Sequence, residues 1–367
     1  VEIPKAEHDD VKSVKRSLQA LLNIPRFRQR LVYGEMVLED GAAVASLVHV
    51  QLLVREFTTD SQSQPSLLVT HALQGRAREV EALLEEPQDP NLFDARGFTA
   101  LMHASAQGHV EVVRLLLEAM AEPNLAASSG ATALFDAARR GQGEAARLLL
   151  EARADVNVKS NNGITALMKA TFHGNAESAR LLLEARANVN EVADNGGTAL
   201  RNTFVSRDMG STQGQLEVLR LLLESMAEPN LASSTGTTVL FEAALQGQDE
   251  AARLLLEARA DVNVKSNNGI TALMNATFHG NAESARLLLE ARANVNEVTN
   301  NGGTALRNTF ASRDLRSLQV LLDAQVDARF GVAICACIVI GVLSLLFIDA
   351  IFIYLIFAPE RSMKPSP

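Results

Sequence analysis

The chain has no tryptophan and two tyrosines, and aromatic residues make up only 4% of its 367 positions. A core built on large rings is excluded, so small aliphatic side chains must do the packing. Cysteine is as scarce: Cys335 and Cys337 both fall in an apolar stretch near the C-terminal end, which excludes a disulfide framework or a zinc site elsewhere. No motif supports acylation of the pair. Positive charge is not in excess, because 34 Lys and Arg face 43 Asp and Glu for a formal net charge of -9. Nothing general pulls such a chain toward a polyanion, and nucleic acid is not an expected partner. The chain opens on Val1 without a methionine, and no charged-then-apolar leader follows. A truncated or processed start is expected.

Catalytic patterns are missing as well. There is no His-Glu-x-x-His, phosphate loop, Cys-x-x-Cys or Gly-x-Ser-x-Gly. The histidines (His8, His49, His71, His103, His109, His173 and His279) are scattered or recur at equivalent places in a repeat, which reads as surface or packing rather than ligand or base. Neither catalysis nor a metal or cofactor is expected.

What is present is repetition. Residues 155–192 and 261–298 are the same text except for Lys169 against Asn275, at an offset of 106. Within this there is a shorter step. Gly97, Gly130, Gly163, Gly196, Gly236, Gly269 and Gly302 each open a similar phrase, at spacings of 33, 33, 33, 40, 33 and 33. Each phrase reads as two helices. Thr165 precedes Ala166, Leu167, Met168 and Ala170 and is placed to cap a short first helix ending near Gly174. Residues 176–185 set Ala179, Leu182 and Leu183 at helical spacing, with Glu177 and Arg180 on the wet side. Two helices this short cannot bury a core alone, so neighbouring repeats must share one. Asn161-Asn162-Gly163 accepts positive φ and suits a projecting hairpin between repeats.

A Gly-x-Thr-Ala-Leu opening followed by Leu-Leu-Leu-Glu and Asp/Asn-Val-Asn, at a 33-residue period, resembles the ankyrin-repeat family over residues 66–328, about eight repeats with a degenerate first one. The resemblance implies a mainly α solenoid of helix pairs whose function is to bind a protein partner. It also implies that contacts come from hairpin tips and the exposed, concave face of the first helices. On this chain those are Lys159, Asn161, Asn162, Ile164, Phe172 and His173, and in the second copy Lys265, Asn267, Asn268, Ile270, Phe278 and His279. Phe172 and Phe278 have two readings, interface anchors or packing between repeats. The chain departs from the family's usual Thr-Pro-Leu-His, placing Met102, Phe135, Met168, Arg201, Phe241, Met274 and Arg307 after Leu. It also ends the second helices with Met120, Arg153, Arg186, Met226, Arg259, Arg292 and Gln325 where the family usually has glycine. Each such residue held left-handed costs on the order of 1 kcal/mol, so a softer solenoid is expected.

The flanks differ. In residues 1–57, Val11, Val14, Leu18, Leu21 and Leu22 recur at helical spacing, and 30–32, 36–38 and 48–54 read as strands. With Ile24-Pro25, Gln29-Arg30-Leu31-Val32-Tyr33 and Leu38-Glu39-Asp40-Gly41, this stretch resembles a partial ubiquitin-like β-grasp. Val1-Glu2-Ile3 would be the remnant of the second strand, with no first strand and no terminal Gly-Gly for conjugation. A generic small α/β cap is the other reading. The resemblance implies a contact patch at Val32. Residues 58–65 read as a polar linker separating this unit from the repeats. The repeat opening at Gly196 carries seven extra residues near 209–215, expected as a surface loop that is either a contact or a tolerated insertion. The duplicated block is three repeats long, since 110–135 also match 216–241 at the same 106-residue offset, and it presents two like surfaces, suited to a bivalent partner or left by a recent duplication.

Residues 332–357 carry one charge, Asp349, and 17 Val, Ile, Leu or Phe, enough for a single transmembrane helix over about 331–357. Asp349 is either a functional intramembrane carboxylate or one that snorkels or stays protonated. A polar tail, 358–367, follows. The expectation is a single-pass membrane protein with its repeats in the cytosol, acting as a tethered protein-binding scaffold. Two alternatives stand beside it: the cytosolic part of a larger channel, transporter or acyltransferase, and a ubiquitin-pathway adaptor.

Overall fold

The computed structural model describes residues 10–43, 50–55, 65–86, 88–205, 212–312 and 314–324. The expectations for Val1-Glu2-Ile3, His8, His49, most of the linker, Gln325, Cys335, Cys337, Asp349, the apolar run 332–357 and the tail lie outside the described residues. Two compact units are present, Val1–Ser234 and Thr235–Pro367.

The first unit starts with helix α1 (Val11–Leu22), whose free N-terminus is capped by Asp10: the carboxylate accepts from the Ser13 amide at 2.8 Å. A 3-10 turn (Arg26–Arg28) leads into strands β1 (Gln29–Tyr33), β2 (Met36–Leu38) and β3 (Gln51–Val54), an antiparallel sheet in the order β2-β1-β3. Val11, Leu18 and Leu31 form its small core, with Val14, Leu38 and Leu52 against them. Strand alternation sends Arg30 and Val32 to the opposite face from Leu31. That face is not open. Val32 is only 9% exposed, and Arg30 Nη2 donates to the Glu85 carbonyl at 3.4 Å, so the contact patch expected at Val32 is corrected to a buried position. Leu53 and Val54 of β3 are instead exposed.

Helix pairs follow: α2 (Pro65–Leu73) with α3 (Ala77–Glu85), α4 (Ala100–Gln107) with α5 (Val110–Glu118), and α6 (Ala133–Arg140) with α7 (Gly143–Glu151). Next come α8 (Ala166–Phe172) with α9 (Ala176–Glu184), and α10 (Ala199–Val205) with α11 (Thr212–Glu224). The second unit holds α12 (Val239–Gln246) with α13 (Asp249–Glu257), α14 (Ala272–His279) with α15 (Ala282–Glu290), and α16 (Ala305–Ser312) with α17 (Leu315–Asp323). Within each unit first helices stack on first helices and second on second, as α6 on α8 and α7 on α9. Leu101, Leu116, Leu134, Leu149, Leu167 and Leu182 are almost fully buried between layers, which is the shared leucine core the period implies.

Local chemistry explains why each piece stops and starts where it does. Thr99, Thr132, Thr165 and Thr271 cap their helices, each hydroxyl accepting an amide three residues on at 3.3 Å. Met120, Arg153, Arg186, Met226, Arg259 and Arg292 do hold positive φ, between 62° and 66°. Asparagines then staple repeat to repeat. Asn124 Oδ1 accepts the Asp155 amide at 2.7 Å, Asn157 Oδ1 the Asn188 amide at 2.8 Å and, in the second unit, Asn263 Oδ1 the Asn294 amide at 2.8 Å. Of the inserted residues, 209–211 lie outside the described residues, while Thr212 to Gln215 form the first turn of α11, which has 13 residues against nine in α15.

The N-terminal unit is locked to the first repeats by charge. Arg26, 1% exposed, donates from Nε to Glu118 of α5 at 2.6 Å, from Nη2 to Glu81 of α3 at 3.1 Å and from Nη1 to Asp40 at 3.4 Å. Lys12 adds a 2.8 Å pair to Glu81, Arg16 another of 2.8 Å to Glu118, and Lys15 pairs with Asp40. A guanidinium can be kept dry only when its donors meet acceptors, and here three carboxylates from three elements do so. Because those carboxylates keep partial contact with water, Arg26→Ala is expected to cost roughly 2–3 kcal/mol, toward the low end for a broken buried pair. Hydrogen exchange should show residues 10–55 losing protection while the repeats from α6 onward keep theirs. The hydrogen bond from Lys12, against the cost of burial and with help from Arg26, holds the Glu81 carboxyl below its ordinary range. A lowered folded-state value makes this contribution complete above the ordinary glutamate range and lost as pH falls through the lowered one. Acid should therefore release the N-terminal unit as Arg26→Ala does.

Candidate protein-binding surface

Hairpins and first helices supply the candidate surface. In the hairpin ahead of α8, the Ser160 amide donates to the Ile164 carbonyl at 2.9 Å and the Ile164 amide to Ser160 Oγ at 3.2 Å. Gly163 turns the chain at φ 71°. The tips also join to each other. The Asn161 amide donates to the Ser129 carbonyl at 3.0 Å and its Nδ2 to the Ser128 carbonyl at 2.9 Å, while the Asn162 carbonyl accepts the Asp194 amide at 3.2 Å. Gly130 shows how close this approach is: at φ 78°, a Cβ there would lie 2.7 Å from the Asn161 amide nitrogen. In the second unit Asn267 donates to the Thr235 carbonyl at 3.0 Å and Asn268 accepts from Asn300 at 3.1 Å.

The expected contact residues therefore divide by what already engages them. Lys159 is paired to Glu191 of the next hairpin at 2.6 Å, and Lys265 is paired likewise to Glu297. The lysine hydrogen bonds hold both glutamates below their ordinary range. These two lysines, with Asn161 and Asn267, clamp neighbouring repeats. Asn162 and Asn268 are exposed at the tips, and Ile164 and Ile270 are half-buried at the hairpin base.

On α8, Lys169, Phe172 and His173 fall at three- and four-residue steps and share the face turned away from the core. Phe172 is half-buried and Phe278 of α14 is 49% exposed, each meeting its following histidine edge-on at 5.1 Å between ring centroids. His173 and His279 are themselves exposed.

Phe172 lines a groove of about 190 Å³ between α8 and α10, with Ile164, Met168, Lys169, Asn202 and Val205 among its walls. That volume is below the usual range for a small-molecule pocket and suits one or two side chains of a partner. Asn202 Nδ2 donates to the Met168 carbonyl at 3.2 Å, fixing α10 against α8 at the groove floor. Lys169 Nζ stands 5.9 Å from the ring centroids of both Phe135 and Phe172. Sequence reasoning missed Lys169. The signal for it was available, since Lys169 against Asn275 is the one difference between the two copies of the block.

The family model described as ankyrin repeats (3 copies) matches residues 43–127, 68–160, 134–230, 187–266, 207–299 and 260–330. A crystal structure of an ankyrin repeat domain from Acinetobacter baumannii AYE is 30% identical, with 53% of this chain and 98% of that one covered at a TM-score of 0.49. No curated protein matches. Helix pairs at a 33-residue period, threonine caps and tip-to-tip hairpins, matched by the family model over most of the length, place this chain in the ankyrin-repeat family, whose repeats serve protein–protein interaction.

Proposed function

We propose that the chain is a membrane-tethered scaffold that holds a protein partner against the open face of its first helices and the adjoining hairpin tips. The observation that carries this reading is the exposure of Phe278, with the half-buried Phe172 at the same place in the other copy. An aromatic ring left in water beside polar turns gains most by being covered, and rings of this kind dominate interface energies. Tethering is supported by sequence alone, through the apolar run 332–357, with the repeats placed on the cytosolic side. Among the described residues no helix is long and apolar enough to cross a membrane, and the run lies outside them. The N-terminal unit is read as a partial β-grasp, supported by a helix followed by three antiparallel strands with β1 central.

Phe278→Ala should leave stability within about 0.5 kcal/mol, as for an exposed position, while Phe172→Ala should cost about 1–2 kcal/mol through its packed half. Both variants should capture less partner from cells, and the double variant least. Equal capture by the double variant and the native chain would remove the face from consideration. For the tether, the full chain should resist carbonate extraction and a chain ending at residue 329 should be released. Equal retention of the two would place the anchor elsewhere. Added protease should reach the repeats from the cytosolic side.

A further inference from the structure

We infer that the groove between α8 and α10 is selective for an acidic, extended peptide segment of the partner, and that its counterpart on α14 is not. The inference rests on the reading of the first-helix face as the partner surface and adds the chemistry of what binds there. Two blocks of 38 residues are identical at every position but one, and that position, Lys169 or Asn275, lies on the face in question. Lys169 pairs with no carboxylate among the described residues. The acidic side chain one repeat earlier on the same face, Asp136, is already taken by Arg139 at 2.9 Å. Lys169 Nζ instead stands 5.9 Å from the ring centroids of both Phe135 and Phe172, and the residue lines the groove. An ammonium held over two rings beside Ile164, Met168 and Val205 offers an acidic residue its charge partner and the neighbouring apolar residue a place to be buried.

The second unit presents the opposite character. Asn275 is 9% exposed and its Nδ2 is buried without a hydrogen-bond partner, so the position offers no cation. The same helix position one repeat earlier is Glu242, which accepts from Thr237 Oγ1 at 3.5 Å. Phe278 is 49% exposed where Phe172 is half-buried. An acidic peptide that gains a cation at Lys169 gains none here. Discrimination between the two faces follows from a cation present at one and absent from the other.

The test uses the full chain in mild detergent and short random peptides displayed on phage. Peptides selected by the native chain should be enriched in Asp and Glu next to apolar residues. An enriched peptide should bind on the order of five- to tenfold more tightly than its Asn/Gln counterpart, as a charge-assisted contact gives. Lys169→Asn should abolish that preference while leaving affinity for the amide counterpart unchanged. Its folding is expected to hold, because the second copy carries asparagine there in a stretch of 38 residues that is otherwise the same. The reciprocal Asn275→Lys should raise acidic-peptide stoichiometry from one per chain to two. Equal affinity of acidic and amide peptides for the native chain, or a preference surviving Lys169→Asn, would overturn the inference. If binding falls with Phe172→Ala yet ignores Lys169→Asn, the face still binds and only its selectivity is refuted. Peptides insensitive to both would refute the placement of the surface itself.

Discussion

Everything in the repeats depends on one constraint: a helix of seven to nine residues with a single apolar stripe cannot exclude water alone. Each pair is stable only against its neighbours. The sequence shows the adaptations this demands, with alanine where first helices approach, leucine between the layers and threonine ahead of the first helices from α4 on. The asparagine staples have the same origin. Asn124 and Asn157 reach 31 residues ahead to an amide that stacking would otherwise leave unsatisfied, turning apolar contact without direction into a fixed register. Six non-glycine residues in left-handed conformation oppose this, and the shared core has to offset their strain.

That constraint also frees one surface. Because the core is made between repeats, the side of the first helices away from the second helices has no packing duty and can vary. Lys169, Phe172 and His173 sit there, and the 38-residue stretch common to the two copies has changed at this place alone. Hairpin tips are less free than they look from their polarity. Lys159 is committed to the next repeat and Asn161 to the preceding one, which leaves Asn162 and the ring of Phe172 as outward groups nearby.

How much could be read beforehand follows from how far each determinant lies from its partner. Thr165 and Met168, three residues apart, are local, so caps and helix pairs were visible in the text. Periodicity made the stacking visible too, because every repeat carries the same sides. The clamp between Lys159 and Glu191 spans 32 residues, and an exposed lysine in a turn reads as merely solvated. Arg26 was hidden entirely, since its carboxylates lie 14, 55 and 92 residues away and none repeats. Val32 failed for a related reason: strand alternation correctly separated it from Leu31, but only the folded chain shows that Val32 is buried too. The extra residues before α11 were read as loop because they break the period, whereas Thr212 to Gln215 continue the helix backwards.

The account stands on the claim that a partner covers the first-helix face and not the outer, second helices. Hydrogen exchange of the full chain with and without a selected peptide tests this directly. Slowed exchange should appear at residues 159–173, in the hairpin and α8, while α9 is unchanged. Protection confined to α9 and α15, with the hairpins and first helices unaffected, would contradict it.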